Sequence, residues 1–380
     1  MRALRANVPA AGWCEIRIEN RAVVGCGTLG PIRDNEPYCW RGFVDLQVNG
    51  FAGVDFGTDA PDAERFASVL EPIFSTGVTS FCPTVVTNDL KTQIAQLQIL
   101  EEARVRYPLF DRAVPGYHLE GPWLSPKSSH GAHDPGRMRA PDWKDFEQLQ
   151  SAACGRIRIV TIAPELTGAT EFIRRARSQG ITIAIGHTDG TLDDVYRATA
   201  AGASLSTHLG NGCPQALDRH QAPFWAQLAD DRLKACIICD NFHVVPEVIK
   251  IISRVKGPSN CCLVTDAMQA AMMPPGPYKI ANTMAELLPS GQVVRADRQS
   301  MAGSALTMDR AVANFRGATS CLLVEALRAA STNPANAIGS HPNSETIVPG
   351  EPADLILFEL GEKDLRVHET ILGGQCVWRA

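Results

Sequence analysis

Short apolar runs separated by longer segments of helical spacing dominate the pattern of hydrophobic and polar positions along the chain. Eight such runs can be read in order, each rich enough in apolar residues to form a buried strand: 42–48, 79–86, 113–120, 157–164, 181–187, 203–209, 234–240 and 261–267. Between most of them lie stretches of helical spacing, several closing on a Gly that suits a helix C-cap, including 61–77, 90–107, 169–180 and 191–203. Strand signals that alternate with helices in this way predict a (β/α)8 barrel.

The two ends of the chain show a different pattern. Residues 12–30 and 353–380 contain short alternating strands separated by Gly and charged turns. The predicted barrel spans residues 41–340, which is close to the size expected of that fold. We therefore predict an α/β fold: a (β/α)8 TIM-like barrel with a small β-sandwich domain, built by residues 1–40 and 341–380 from the two termini.

Composition narrows the class of protein. The 380 residues carry 36 Lys and Arg against 41 Asp and Glu, a formal charge of -5, and no long basic run that could bind a nucleic acid backbone. The sequence has no run of eighteen apolar residues and no apolar signal segment at its start, so we expect a soluble, unexported protein without a membrane partner.

Its 12 cysteines are scattered through apolar runs, which fits a reducing cytoplasm. We interpret Cys236 and Cys239, a CxxC without a second pair, as buried packing.

Ionisable and amide side chains end several of the predicted strands. In a barrel these strand ends converge on the C-terminal face, where active sites are built. Two imidazoles and a carboxylate with an open fourth position make a catalytic set of the zinc type. The residues concerned are Asp45, Gln47, Asn49, Glu120, His187, His208 and Asp266.

Each of these residues also has an ordinary structural interpretation. A single His near a strand end is more often a hydrogen-bonded structural residue than a ligand, and an Asp or Glu there can cap the following helix. Gln47 and Asn49 can be hydrogen-bonding residues of the barrel floor. A metal site is nevertheless favoured, because predicted strands three, five, six and eight of one barrel all end in such residues: Glu120, His187, His208 and Asp266.

A series of motifs adds to this interpretation. The strings GFVDLQVNGFAGVDF, HLEGPWL, GAHDP, TIAPE, IGHTDGT, THLGNGCP, LVTDAM, MAGSALTMD and TNPANAIG occur in this order over residues 42–340. Together they resemble the successive motifs of the N-acetylglucosamine-6-phosphate deacetylases, a family of the amidohydrolase superfamily. PGEPADLIL and TILGGQCVW resemble the closing strands of that family, so the resemblance covers nearly the whole chain.

The resemblance implies a division of labour. Glu120, His187 and His208 would bind the metal, and Asp266 would act first as base towards the metal-bound water and then as acid towards the leaving amine. A divalent ion can lower the pKa of a bound water to about 7 and polarise the acetamide carbonyl, which permits attack at neutral pH. Asp266 would need to lie within hydrogen-bond reach of that water.

The number of metal ions follows from the first strand. Many amidohydrolases carry His-x-His there for a second metal, whereas this chain has Gln47 and Asn49, whose amides are poor ligands for a zinc-like ion. We expect one divalent ion per chain, zinc in the first place, with iron, manganese or cobalt as alternatives that suit the same ligands. Since no Lys ends a strand where a carboxylated bridging ligand would be needed, the dihydroorotase and urease branches are disfavoured.

The resemblance also implies substrate contacts. Arg219 and His243 would hold the phosphate, the Arg by a charge-assisted contact, and in family members these two can come from the neighbouring subunit. A homodimer is therefore implied. The positions that match the sugar and phosphate contacts of the family are Ala132, His133, Asn211, Gly212, Arg219, His243, Met301, Ala302 and Gly303.

The chain departs from the family on the substrate side. NGCP stands where the family has Asn-Ala-Met-Pro, DRHQA where it has Gly-Arg-x-Pro-Gly, and DNFH where it has Asp-Gly-x-His. Arg219 can accordingly also be interpreted as a solvated surface charge. The alternatives are a deacetylase for N-acetylgalactosamine 6-phosphate or for a non-phosphorylated N-acyl amine, and a non-catalytic barrel that serves as a scaffold.

Overall fold

A computed structural model describes residues 1–57, 62–280, 283–295, 301–340 and 346–380. In chain order the strands are β1 (Arg2–Val8), β2 (Gly12–Glu19), β3 (Ala22–Gly30), β4 (Tyr38–Arg41), β5 (Phe43–Val48), β6 (Gly50–Phe51), β7 (Val54–Asp55), β8 (Val78–Val86), β9 (Tyr117–Glu120), β10 (Ile157–Ile162), β11 (Thr182–Ile185), β12 (Leu205–Ser206), β13 (Lys234–Ile238), β14 (Cys261–Val264), β15 (Gly276–Ile280), β16 (Thr283–Leu287), β17 (Val293–Arg295), β18 (Leu355–Leu360), β19 (Leu365–Leu372) and β20 (Gln375–Arg379). The helices are α1 (Ala63–Ser68), α2 (Leu70–Ser75), α3 (Leu90–Arg106), α4 (Pro108–Ala113), α5 (Trp143–Ala152), α6 (Ala169–Ser178), α7 (Leu192–Ala201), α8 (Pro223–Ala229), α9 (Pro246–Lys256), α10 (Met308–Thr319), α11 (Leu323–Ala329) and α12 (Thr332–Ala337).

A parallel barrel forms the larger part of the molecule. Its eight strands lie in the order β5, β8, β9, β10, β11, β12, β13 and β14, and each pairs in parallel with the next. A parallel bridge between Val48 and Ala267, just beyond β14, closes the barrel. Every predicted strand is present, so the predicted barrel is confirmed.

The burial pattern of the strands explains why the sequence is apolar where it is. All six residues of β5 are buried, because a barrel strand is covered by the interior on one side and by helices on the other. In β2, by contrast, Ile16 and Ile18 are buried while Arg17 and Glu19 are exposed, because only one face of that sheet is covered. Continuous burial is therefore typical of the barrel strands, and alternating burial is typical of the other sheet.

Helix α7 shows the local signals that begin and end the barrel helices. Thr191 caps its N-terminus in a capping box with Asp194, and Gly202 ends it with a left-handed φ of 117°. The helical stretches predicted around α3, α6 and α7 are confirmed. The stretch predicted at 61–77 forms α1 and α2, and its first residue, Pro61, lies outside the described residues.

Both termini contribute to one seven-stranded sheet, in the order β20, β19, β18, β4, β1, β2 and β3. The antiparallel pair of β4 and β18, with Cys39 opposite Leu357, joins the N-terminal and C-terminal parts. This sheet has an apolar core of its own, and the prediction of a small β-domain built from both ends is confirmed. The boundaries at residues 41 and 340 stay a prediction, and residues 341–345 lie outside the described residues.

Strands β15, β16 and β17 form a small antiparallel sheet that the sequence pattern did not reveal. Its strands have three to five residues each, too few for a periodic signal. Leu287 and Val293 pack against Met268 and Ala302, beside the carboxyl end of β14. Strands β15, β16 and β17 thus form an insert at the barrel mouth. Among the described residues, no helix is long and apolar enough to cross a membrane.

Candidate active site

Four ionisable residues stand at the carboxyl ends of barrel strands. Glu120 is the last residue of β9, and His187, His208 and Asp266 each lie two residues beyond the end of β11, β12 and β14. All four side chains are buried. The structure therefore brings together the four residues on which the predicted chemistry depends.

The backbone at three of these residues is left-handed, with φ values of 49° at His187, 28° at His208 and 50° at Asp266. Residues with a Cβ rarely adopt such values, and each costs of the order of 1–3 kcal/mol. Backbone bonds hold the turns, including Asp266 N–H to the Gln47 carbonyl at 3.0 Å and Ser125 N–H to the His187 carbonyl at 3.0 Å. Strain of this kind gathers at functional sites.

The Glu120, His187 and His208 side chains meet in one cluster. Glu120 Oε1 lies 3.1 Å from His208 Nε2 and 3.3 Å from His187 Nε2, and the two Nε2 atoms are 3.1 Å apart. His187 Nδ1 donates to the Ser129 carbonyl at 2.9 Å, so Nε2 faces the cluster and offers a lone pair to a metal ion once its proton is lost. Two nitrogens and one carboxylate oxygen within 4.8 Å of one another fit a divalent ion.

The negative charge of Glu120 and the positive charge of His208 stabilise each other. Burial opposes ionisation of Glu120, but its hydrogen bonds with His187 and His208 outweigh burial and hold the pKa of the carboxyl well below its ordinary value. Burial likewise opposes protonation of His208, and the Glu120 carboxylate reverses this and raises the pKa of His208. His133, with Nε2 3.8 Å from Glu120 Oε2, is neutral, since burial and then His187 lower its pKa to about 3.

Asp266 is held by two amides. Gln47 Nε2 donates to Asp266 Oδ1 at 2.9 Å and to Glu120 Oε1 at 3.0 Å, and Asn49 Nδ2 donates to Asp266 Oδ1 at 2.6 Å. Among the described residues Oδ2 makes no hydrogen bond, so it is the oxygen available to a proton. Burial, followed by the Glu120 charge, raises the pKa of Asp266.

Two glycines pack against the His187 ring. A Cβ at Gly131 would lie 3.1 Å from His187 Cε1, and a Cβ at Gly212 would lie 2.9 Å from His187 Nδ1. Both residues also have positive φ, 60° and 56°. The sequence analysis interpreted Gly212 as a substrate contact. The structure adds a second reason for glycine at this position, because a side chain would collide with the His187 imidazole.

A cavity of about 890 Å³ opens above the cluster. Of the predicted substrate contacts, Ala132, His133, Asn211, Gly212, His243, Met301, Ala302 and Gly303 line it. Arg219 does not, and lies in an exposed turn after Leu217, the last residue of that loop in the lining. His243 is oriented by Asp240, whose Oδ2 lies 2.6 Å from its Nδ1.

Sequence reasoning missed part of the cavity wall. Arg137, from the loop after β9, lines it with Nη1 2.9 Å from Asp89 Oδ2, and the insert contributes Gln292, Val294 and Arg295. These residues stand in loops or short strands without periodicity, so the linear pattern carried no signal for them. The position of Gln292, Val294 and Arg295 follows from the packing of the insert on the barrel, and that of Arg137 from the course of the loop after β9.

A parallel barrel with a buried Glu-His-His cluster and an aspartate at the carboxyl ends of its strands defines a metal-dependent hydrolase. The model of the Amidohydrolase family matches residues 42–377. An N-acetylglucosamine-6-phosphate deacetylase of Danio rerio is 34% identical over 354 residues, 89% of this chain and 84% of that protein. An N-acetylgalactosamine-6-phosphate deacetylase of Escherichia coli O157:H7 is 33% identical over 349 residues, 90% of this chain and 88% of that protein.

Solved structures agree with these relatives. An aspartate-to-alanine variant of the N-acetyl-D-glucosamine-6-phosphate deacetylase of Mycobacterium smegmatis, in complex with N-acetyl-D-glucosamine-6-phosphate, superposes with a TM-score of 0.88. It is 30% identical, and the match covers 99% of this chain and 98% of that one. The chain belongs to the amidohydrolase family, in its N-acetylglucosamine-6-phosphate deacetylase branch. This family is metal-dependent, and the chain has a buried Glu-His-His cluster that could hold a metal ion.

Gly212→Ala tests the close packing on His187. The added methyl would lie 2.9 Å from Nδ1 and displace the ring, so we expect purified protein to hold less divalent metal than wild type by elemental analysis. Gly339→Ala is the matched control, because Gly339 has a similar φ of 65° and no atom within 4 Å of its added Cβ. Both variants should lose about 1 kcal/mol or more of stability from backbone strain. Equal metal content in the two variants would contradict the prediction.

Proposed function

We propose that the protein hydrolyses the N-acetyl group of N-acetylglucosamine 6-phosphate to give glucosamine 6-phosphate and acetate. The observation that carries this proposal is the Glu-His-His cluster with Asp266 beside it, at the floor of a cavity large enough for a sugar phosphate. The M. smegmatis relative is solved with this compound. Family and site therefore point to the same reaction.

We propose that Glu120, His187 and His208 hold one divalent metal ion per chain. Zinc suits two imidazoles and a carboxylate, and iron, manganese or cobalt are the alternatives. When bound, such an ion lowers the pKa of a water to about 7 and polarises the acetamide carbonyl. Gln47 and Asn49 would stay outside its coordination, because the atoms with which they face Glu120 and Asp266 are their NH2 nitrogens, which are donors and not metal ligands.

Asp266 is the acid-base group of the proposed reaction. Gln47 and Asn49 hold Oδ1, and Oδ2 accepts the proton of the water whose oxygen adds to the acetamide carbon. As the carbon-nitrogen bond breaks, that proton moves from Oδ2 to the nitrogen, which leaves as the amine. The water oxygen stays on the acetyl carbon, and the second proton of the water passes from the resulting acetic acid to the amine or to solvent, so the products are acetate and glucosamine 6-phosphate.

The remaining contacts concern the sugar and its phosphate. Ala132, His133, Asn211, Gly212 and Met301 to Gly303 would face the sugar, and His243, oriented by Asp240, would face the phosphate. Arg219 is exposed and does not line the cavity of its own chain. It would instead contact the phosphate of a substrate bound in the cavity of the neighbouring subunit. The proposal thus includes a homodimer, acting in the cytoplasm.

A panel of N-acetyl sugars tests the function. N-acetylglucosamine 6-phosphate should release acetate with a higher kcat/KM than N-acetylgalactosamine 6-phosphate or unphosphorylated N-acetylglucosamine, measured by an acetate assay. A higher kcat/KM for N-acetylgalactosamine 6-phosphate would instead assign to this protein the substrate after which the E. coli relative is named. No acetate from any member of the panel would contradict the hydrolase itself.

Asp266→Asn tests the proton transfer. An amide keeps the shape and can still accept from Gln47 and Asn49 through its oxygen, but it cannot take a proton. Turnover should fall by about 100-fold to 10,000-fold while metal content stays at the wild-type value. Metal loss would indicate a ligand instead, and near-wild-type turnover with metal retained would remove Asp266 from the mechanism. Asp230→Asn, a buried aspartate that bonds Thr199 and Arg232, is the control and should keep its turnover.

Arg219→Ala tests the phosphate contact. Loss of a charge-assisted hydrogen bond, about 1.5–3 kcal/mol, should raise KM for N-acetylglucosamine 6-phosphate by about 10-fold to 100-fold and change kcat less. Unphosphorylated N-acetylglucosamine should be unaffected. His220→Ala, the exposed neighbour, serves as control. Unchanged kinetics on the phosphorylated substrate would make Arg219 a surface charge.

A further inference from the structure

A chain of hydrogen bonds crosses the barrel beneath the proposed metal ligands. His118 Nδ1 lies 3.0 Å from the Leu46 carbonyl oxygen and His118 Nε2 lies 2.7 Å from Thr161 Oγ1. Thr161 Oγ1 in turn lies 2.7 Å from Thr207 Oγ1. We call the His118, Thr161 and Thr207 side chains, which are all buried, the inner network.

The inner network runs through the interior of the barrel rather than along its wall. His118 stands on β9 and Leu46 on β5, and β8 lies between these strands. Thr161 stands on β10 and Thr207 directly after β12, with β11 between them. Bonds that skip a strand span the interior, so the network ties four of the eight strands together.

The hydrogen bonds of the inner network share one direction. A carbonyl oxygen only accepts, so His118 Nδ1 carries the proton that is donated to Leu46. In the neutral ring Nε2 is then an acceptor, and the Thr161 hydroxyl donates to it. Thr161 Oγ1 accepts in turn from the Thr207 hydroxyl. The Thr161 hydroxyl is thus both donor and acceptor, and the network is broken without it.

Each proposed metal ligand adjoins this network along the chain. Glu120 follows His118 by two residues on the same strand, and His208 directly follows Thr207. His187 follows Gly186, where an added Cβ would lie 2.7 Å from Thr207 Cβ and 2.9 Å from Thr161 Cγ2. The backbone that carries all three ligands is therefore in contact with the same three side chains.

We propose that the inner network consists of positioning residues that fix the mutual distances of Glu120, His187 and His208 and thereby set the affinity for the metal. The proposal rests on the assignment of these three residues as ligands. The physical reason is preorganisation, since ligands from three strands bind an ion tightly only if they hold their arrangement before it arrives. Hydrogen-bonded groups behind the ligands typically account for a factor of about 10 to 100 in metal affinity.

Thr161→Val and Thr161→Ser test the network as a pair. Valine keeps the shape of threonine but leaves His118 Nε2 without a donor, whereas serine keeps the hydroxyl and loses only a methyl group. Metal-free protein, prepared with a chelator, would be titrated with Zn²⁺ against a chromogenic chelator. The dissociation constant of Thr161→Val should rise by about 10-fold to 100-fold. That of Thr161→Ser should stay close to wild type.

A buried threonine far from the site provides the control. Thr370 is fully buried and donates to the Phe74 carbonyl at 2.6 Å, between the seven-stranded sheet and α2. Thr370→Val removes a hydrogen bond of the same kind, so its melting temperature should fall while its Zn²⁺ affinity stays unchanged. If Thr161→Val does not fold, Thr207→Val and Thr207→Ser make the same comparison at the next hydroxyl.

Three results would overturn the proposal in different ways. Equal Zn²⁺ affinity of Thr161→Val and wild type would remove the positioning role while the ligand assignment stands. Thr161→Ser as weak as Thr161→Val would show that methyl packing, and not the hydrogen bond, is responsible. A wild-type protein that binds no Zn²⁺ would overturn the ligand assignment itself.

Discussion

Closure of the barrel between its first and eighth strands is the constraint on which the site depends. Asp45 is central to it, because its buried carboxylate accepts the N–H groups of Gln47 and Thr265 and the Thr265 hydroxyl. Burial raises the pKa of Asp45 to about 7, and these hydrogen bonds oppose that rise. The same seam carries the backbone bond from Asp266 N–H to Gln47. A barrel that closed differently here would separate Asp266 from the amides that hold it.

The sequence predicted the barrel because its strands are continuous apolar runs. It predicted that Glu120, His187, His208 and Asp266 would meet because each stands at the carboxyl end of such a run. The insert formed by β15, β16 and β17 was not predicted, since strands of three to five residues are too short to show a clear alternation. β1 lay outside the predicted alternating segment although it pairs with β2 over its whole length. The two strands form a local hairpin, but the buried positions of β1 do not alternate regularly along the strand, so no periodic signal marked it.

The contacts behind the proposed metal ligands could not be predicted for a different reason. Ser129 offers a backbone carbonyl to His187, a role that no side chain reveals. Thr161 and Thr207 are 46 positions apart, and their hydrogen bond exists only because the barrel brings two strands to the same depth. Residue type at a strand end indicates which groups meet at the barrel mouth. It does not indicate what holds them at the distances that chemistry requires.

Gln47 and Asn49 form hydrogen bonds at the two positions where many amidohydrolases have histidines that bind a second metal ion. Two imidazoles there would offer lone pairs to a second cation, and that cation would neutralise the repulsion between the Glu120 and Asp266 carboxylates. Glu120 does raise the pKa of Asp266, after burial. The Gln47 amide lies between the two carboxylates and donates to both, at 3.0 Å and 2.9 Å. It therefore supplies, as a neutral donor, part of the stabilisation that a second ion would give, and it uses only Oδ1 of Asp266.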